Sequence, residues 1–323
     1  GIKHMFHMMN TARIEVGMQG VALGSAAYRS ALKYAKERIQ GTKAQDFKDA
    51  NAKRVAIIEH PNVRRMLLDC KAVTEAGRAM AYKAAMCEDL TIAGKTEEDR
   101  KKAHAMLEIL TPIVKAHLSE SGFHATDVAM QIHGGYGYIK EYGVEQHMRD
   151  VRIAPVYEGT NSIQALDLIS RKVARRGGQD FMMLMNEMDE VLNTHGEHPV
   201  FGAEVATLKD AKNVLIATTM SFAGYQMQGE IEYVVQNCRQ YLEMFGDVVC
   251  AWLLLEQAAI AHDKAIALVA EDETRTPENN SEVGFYDGKV KTAQFYARQY
   301  LPRVQMNADR IKCNDKTPME IAF

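Results

Sequence analysis

An all-α protein is predicted by three observations. Apolar residues recur at helical spacing over long stretches. Breakers are few, with 7 prolines in 323 residues, while methionine is abundant at 19. No segment alternates apolar and polar residues as a half-buried strand would. Long amphipathic helices with few interruptions pack as bundles. The expected architecture is a four-helix bundle followed by an additional helical bundle.

The first helix is expected over residues 5–39, where Met5, Met8, Met9, Ala12, Val16, Val21, Ala27, Ala31 and Ala35 form a stripe. Gly17, Gly20 and Gly24 lie on it at spacings of three and four, which suits either close helix packing or a ligand held against the helix. Gly41 opens a polar loop running to Lys53. His60-Pro61-Asn62 starts the second helix, with proline in its first turn. Its stripe runs from Val63 to Met86 and ends near Gly94. Residues 95–102 read as a charged connector, and the third helix as 101–132, with Pro112 inside it as an expected kink. A short, irregular segment comes next. The fourth helix starts at Thr160, and Arg171, Lys172, Arg175 and Arg176 gather at its end, as cations do at a helix C-terminus.

Gly177-Gly178 marks the expected boundary between a first unit, 1–176, and a second, 179–323. In the second, a short helix is expected over 179–194 and a loop over 193–202. Two long helices are expected over 203–235 and 236–271, interrupted near Gly229 or Gly246. A polar loop over 272–288 leads to a last helix over 289–312.

Composition narrows the function. An apolar fraction of 47% suits a globular core, and a net charge of −3 gives no global basic field for nucleic acid. The five cysteines form no CxxC pair, which points to free thiols in a reducing compartment. No apolar run reads as a membrane span. His4 and His7 are three apart, but a metal needs a third and fourth ligand, so no metal site is expected.

The chemistry concentrates between Gln131 and Gln164. Three glycines, Gly134, Gly135 and Gly137, alternate with Tyr136 and Tyr138, and the stretch closes on Tyr157-Glu158-Gly159-Thr160-Asn161. Glycines let a backbone approach a ligand, and a helix start offers free N–H groups to an anion. Glu158 is either a helix-start carboxylate that complements the dipole or, in a water-poor pocket, a base. Thr160 and Asn161 are either caps or ligand contacts. Arg38, at the end of the first helix, is either a surface cation or a phosphate clamp. Arg13 is either a buried ion-pair member or a second phosphate contact.

Taken together, Asn10-x-x-Arg13, Glu37-Arg38 with Gly41, Gln131-x-x-Gly134-Gly135-x-Gly137-Tyr138, Arg149-Asp150 and Tyr157-Glu158-Gly159-Thr160-Asn161 with Gln164 resemble the C-terminal helical domain of the acyl-CoA dehydrogenases. The resemblance covers residues 1–176. Residues 179–323 resemble the C-terminal extension of the larger branch typified by 3-methylmercaptopropionyl-CoA dehydrogenases. The resemblance implies an FAD enzyme in which Glu158 removes the α-proton of an acyl-CoA thioester while the flavin takes the β-hydrogen as hydride at N5. The backbone N–H of Glu158 would hold the thioester carbonyl.

Thr160 and Asn161 would contact the flavin. Gln131, Gly134, Gly135 and Arg38 would lie along the adenine–pyrophosphate part of the FAD of a neighbouring subunit. Asn10 and Arg13 would face the CoA arm, and Tyr157 and Gly159 would line the substrate pocket. An electron-transfer flavoprotein would be the acceptor and a homodimer or homotetramer the assembly, in a bacterial cytoplasm or a mitochondrial matrix. DNA association, known within the superfamily, and a purely oligomerising role are the alternatives.

Ile39-Gln40 stands where many relatives carry Phe, and Asn10 where many carry Asp. Some branches place the base just before the first-helix arginine, but that position is Ala12 here, leaving Glu158 as the carboxylate candidate. The family's N-terminal helical and middle β-domains find no counterpart in this sequence. A C-terminal portion of a longer enzyme is therefore expected, with little FAD binding or turnover by itself.

Overall fold

The computed structural model describes residues 1–322, and of residues 2–4, 6 and 7 the backbone alone. The spacing of His4 and His7 therefore lies outside the described side chains. Three long helices come first: α1 (Ile2–Glu37), α2 (Pro61–Ala93) and α3 (Glu97–His133). Among the described residues no strand forms, and one isolated bridge joins Ile39 to Ala56.

α1 and α3 run parallel, with α2 antiparallel to both. Their registry is set by small residues. A Cβ on Gly20 would stand 2.4 Å from the Leu118 carbonyl oxygen, and one on Gly122 would stand 2.3 Å from that of Gly20. The helix backbones touch there, so packing accounts for Gly17, Gly20 and Gly24, and no ligand lies between.

α3 begins earlier than expected. Thr96 accepts from the Asp99 N–H, and Asp99 accepts from the Thr96 N–H, both at 3.0 Å. This reciprocal cap starts the helix at Glu97, so the charged run is its first turn rather than a connector. The helix continues through Pro112 without ending.

After α3 come a 3-10 turn, Gly134–Tyr138, and α4 (Val144–Val151). The fourth bundle helix is α5 (Asn161–Asp167), which widens into a π turn over Leu168–Lys172. Arg176, Gly177 and Gly178 all take left-handed backbone, and the chain turns there. The cationic residues before it are spent on carboxylates: Arg171 on Asp167, Lys172 and Arg175 on Glu108, Arg176 on Asp180.

The second half holds α6 (Gln179–Glu187), α7 (Asp189–His195), α8 (Gly202–Met227), α9 (Ile231–Glu271), α10 (Ser281–Tyr300), α11 (Pro302–Lys312) and the short α12 (Thr317–Glu320). The break between the two long helices falls at Gly229, not Gly246. Gly246 lies inside α9, where a Cβ would come 2.1 Å from Nδ1 of His117 on α3. α10 starts eight residues before the expected 289, because the Asn280 side chain caps the Glu282 and Val283 N–H groups, both at 3.0 Å. Pro302 separates α10 from α11.

α9 is long and apolar enough to cross a membrane by length and composition, with a window of mean hydropathy 1.5, which amends the sequence expectation. That window is 83% buried within the fold, as befits a core helix. One hydrophobic cluster runs from Ile14 through Ile113, Leu168 and Trp252 to Ile311, so the core does not divide at the Gly177 turn. All five cysteines are free, and four of them are buried.

Candidate functional site

The structure gathers the predicted site residues into two clusters. The first lies where α1 and α3 end. Arg38, Gln131, Gly134 and Gly135 line one cleft of about 410 Å³ with Tyr34, Gln40, His133 and Tyr136. Its walls are aromatic: Tyr34 stacks on His133 at 4.5 Å, and Tyr136 packs on Tyr142 at 5.2 Å. His133 donates from Nδ1 to the Ala129 carbonyl at 2.8 Å, and burial holds its pKa below the usual histidine value. The Arg38 guanidinium sits 5.1 Å over the Tyr136 ring and pairs with no carboxylate among the described residues.

The three glycines play two roles. Gly137 is packed, since a Cβ there would stand 2.3 Å from the Met130 carbonyl oxygen. Gly134, at φ 60°, and Gly135 have nothing within 4 Å of where a Cβ would be, so their backbone is bare to the cleft.

The second cluster is the turn before α5. Glu158 takes a left-handed conformation at φ 54°, followed by Gly159 at φ 83°. A non-glycine residue in that region costs ~1–2 kcal/mol and is kept only where the surroundings enforce it. Here Gln164, fully buried, donates from Nε2 to the Glu158 carbonyl at 3.3 Å. The Asn161 N–H donates to the Pro155 carbonyl at 3.1 Å. Tyr157 donates its hydroxyl to Gln19 Oε1.

Thr160 caps α5 by accepting from the Ile163 N–H at 3.3 Å. Asn161 points inward: its Oδ1 accepts from Lys115 Nζ at 2.9 Å, and its Nδ2 donates to Glu120 Oε1 at 2.8 Å. Of these groups, the half-buried Glu158 carboxylate makes no ion pair or hydrogen bond among the described residues. Its N–H likewise donates to no described carbonyl.

Asn10 and Arg13 do not open onto either cluster as free groups. Arg13 is buried and pairs with the buried Asp167 at 3.6 Å. It also donates to Asn10 Oδ1 at 3.4 Å, while Asn10 donates to Glu108 at 3.3 Å. Of the two readings of Arg13, the structure shows the ion pair. Its guanidinium backs the turn, with one nitrogen 4.0 Å from where a Cβ on Gly159 would stand.

Lys115 carries no motif that would mark it from the sequence. It is fully buried, and burial lowers its pKa to about 8. A lysine inside the apolar run Ile113-Val114-Lys115-Ala116 was the available signal.

The two clusters stand apart. Ser119 touches Asn161 and His133 lines the cleft, and at ~1.5 Å rise per residue they are about 21 Å apart along α3.

Residues 1–174 match the family model for the acyl-CoA dehydrogenase C-terminal domain, and 184–322 match that described as acetyl-CoA dehydrogenase C-terminal like. The chain belongs to the acyl-CoA dehydrogenase family. It is 36% identical to 3-methylmercaptopropionyl-CoA dehydrogenase of Ruegeria pomeroyi, over 98% of this chain and 50% of that protein. It is 32% identical to the broad-specificity linear acyl-CoA dehydrogenase FadE5 of Mycobacterium tuberculosis, over 99% of this chain and 52% of that protein.

The chain thus spans about half the length of the curated relatives it matches. Among solved structures it shares its fold with an acyl-CoA dehydrogenase complexed with FAD from Bacillus anthracis, at TM-score 0.71 and 21% identity, over 99% of this chain and 51% of that one. It also shares it with Caenorhabditis elegans ACDH-11 in complex with C11-CoA, at TM-score 0.72 and 17% identity, over 98% and 49%.

Proposed function

We propose that this chain is the C-terminal catalytic portion of an FAD-dependent acyl-CoA dehydrogenase, with Glu158 as the base that takes the α-proton of an acyl-CoA thioester. The observation that carries the reading is the state of the Glu158 turn. Gln164, Asn161, Thr160 and Tyr157 are tied down within the chain, while the Glu158 carboxylate and N–H meet no partner among the described residues. The carboxylate would accept the proton from the α-carbon. The N–H would donate to the thioester carbonyl oxygen, and charge building there makes that proton acidic. Bound FAD would supply the two-electron acceptor for the β-hydrogen.

The Arg38 cleft fits the anionic part of such a dinucleotide. It offers a guanidinium that pairs with no carboxylate among the described residues, bare backbone at Gly134 and Gly135, and an aromatic wall. We assign this cleft to the cofactor of a neighbouring subunit in a homodimer or homotetramer. Thr160, exposed at the turn, is the assigned flavin contact on the other side. An electron-transfer flavoprotein is the assigned acceptor and the bacterial cytoplasm or mitochondrial matrix the assigned compartment. Association with DNA is disfavoured, because the Arg171–Arg176 cations are met by Asp167, Glu108 and Asp180.

The test is Glu158→Gln in the full-length protein. The expected result is loss of acyl-CoA dehydrogenation with FAD retained, read from the flavin spectrum. Undiminished turnover would reject Glu158 as the base.

A further inference from the structure

The second half of the chain reaches the Glu158 turn through one line of polar side chains. Arg239, on α9, pairs with Glu120 of α3 at 3.1 Å. Glu120 Oε1 accepts from Asn161 Nδ2 at 2.8 Å, and Asn161 Oδ1 accepts from Lys115 Nζ at 2.9 Å. Ser119 and the Ala116 carbonyl fill the remaining positions around the Asn161 amide, at 3.0 and 3.3 Å. Asn161, three residues beyond Glu158, is thereby held from four directions.

We infer that Lys115, Glu120 and Arg239 are positioning residues for the Glu158 turn, acting through Asn161, and that α9 anchors the outer end of this line. The inference rests on Glu158 being the base. Stability alone is a poor reason for Lys115. A fully buried ammonium carries a desolvation cost that its contacts must offset before it adds any stability.

The experiment compares Lys115→Met, Arg239→Met, Glu158→Gln and the parent, all as full-length protein loaded with FAD. Initial rates are taken against the concentration of an acyl-CoA thioester, with a dye acceptor. Arg275→Met removes a surface ion pair at the far end of α9, to Glu271, and serves as the control. Lys115→Met is expected to lower kcat by ~10- to 100-fold, as a displaced catalytic group does. It should leave KM and flavin content near those of the parent.

Arg239→Met, at a side chain that is 25% exposed, should lower kcat in the same way by less. Arg275→Met should match the parent. If Glu158→Gln is inactive while Lys115→Met and Arg239→Met keep the parent kcat, the positioning role is wrong and the base assignment stands. If Glu158→Gln is active, the base assignment itself falls. Should Lys115→Met not fold, Arg239→Met alone decides, by whether kcat falls while KM holds.

Discussion

Asp247 shows how a single residue couples this fold to pH. It is fully buried on α9, with Arg303 Nε at 3.4 Å and His117 Nε2 at 3.9 Å, and burial raises its pKa to about 7. A carboxyl with a raised folded-state pKa stabilises the protein fully below its unfolded value near 3.9. That contribution is lost as pH rises through about 7. Asp247→Asn does not titrate. The Tm advantage of Asp247→Asn over the parent should therefore grow from pH 4.5 to pH 8 and then level off. A difference that is flat with pH would contradict the assignment. His117, pushed down to about 3 by burial, stays neutral across that window.

At this scale the sequence told much about the site and little about its support. Glu158, Gly134 and Arg38 sit in local patterns that imply chemistry. The burial of Lys115 and its contact with Asn161 join positions far apart in the chain, which no local pattern reveals.

Among the elements, the crossing of α1 and α3 is the point least tolerant of change. Gly122→Ala would drive a methyl into the Gly20 carbonyl, and overpacking of this kind costs ~1–3 kcal/mol. Gly288, on α10, has open space at its Cβ position, so Gly288→Ala should instead stabilise by ~0.5–1 kcal/mol. Thermal melts of the two variants should move in opposite directions. The long helices and the Gly20 spacing were legible because periodicity and small-residue spacing are local. Two helix starts differ from expectation: polar runs at Thr96 and Asn280 look like loops until the cap hydrogen bonds are seen. Gly246 looked like a possible break because the contact that requires a glycine there, His117, comes from another helix.

One core spans both halves of the molecule, and a smaller cluster with Ala31, Leu67, Ile132 and Val144 lies beside it. Trp252, Phe245 and Leu254 of α9 belong to the same buried cluster as Ile109, Ile113 and Leu118 of α3. Calorimetry of residues 1–323 should therefore give one cooperative unfolding transition. Two separated transitions would mean that the halves on either side of Gly177 hold themselves together independently. Composition announced an all-helical chain, but not that its final helices complete the core of the first, because that depends on which faces meet.

The separation of the two clusters along α3 bears on inheritance. On the proposed assignment, damage at Arg38 or Gly134 falls on the neighbour's chemistry, whereas damage at Glu158 falls on the subunit's own. Two alleles, one broken at each place, could then restore a working centre in mixed assemblies that neither could form alone.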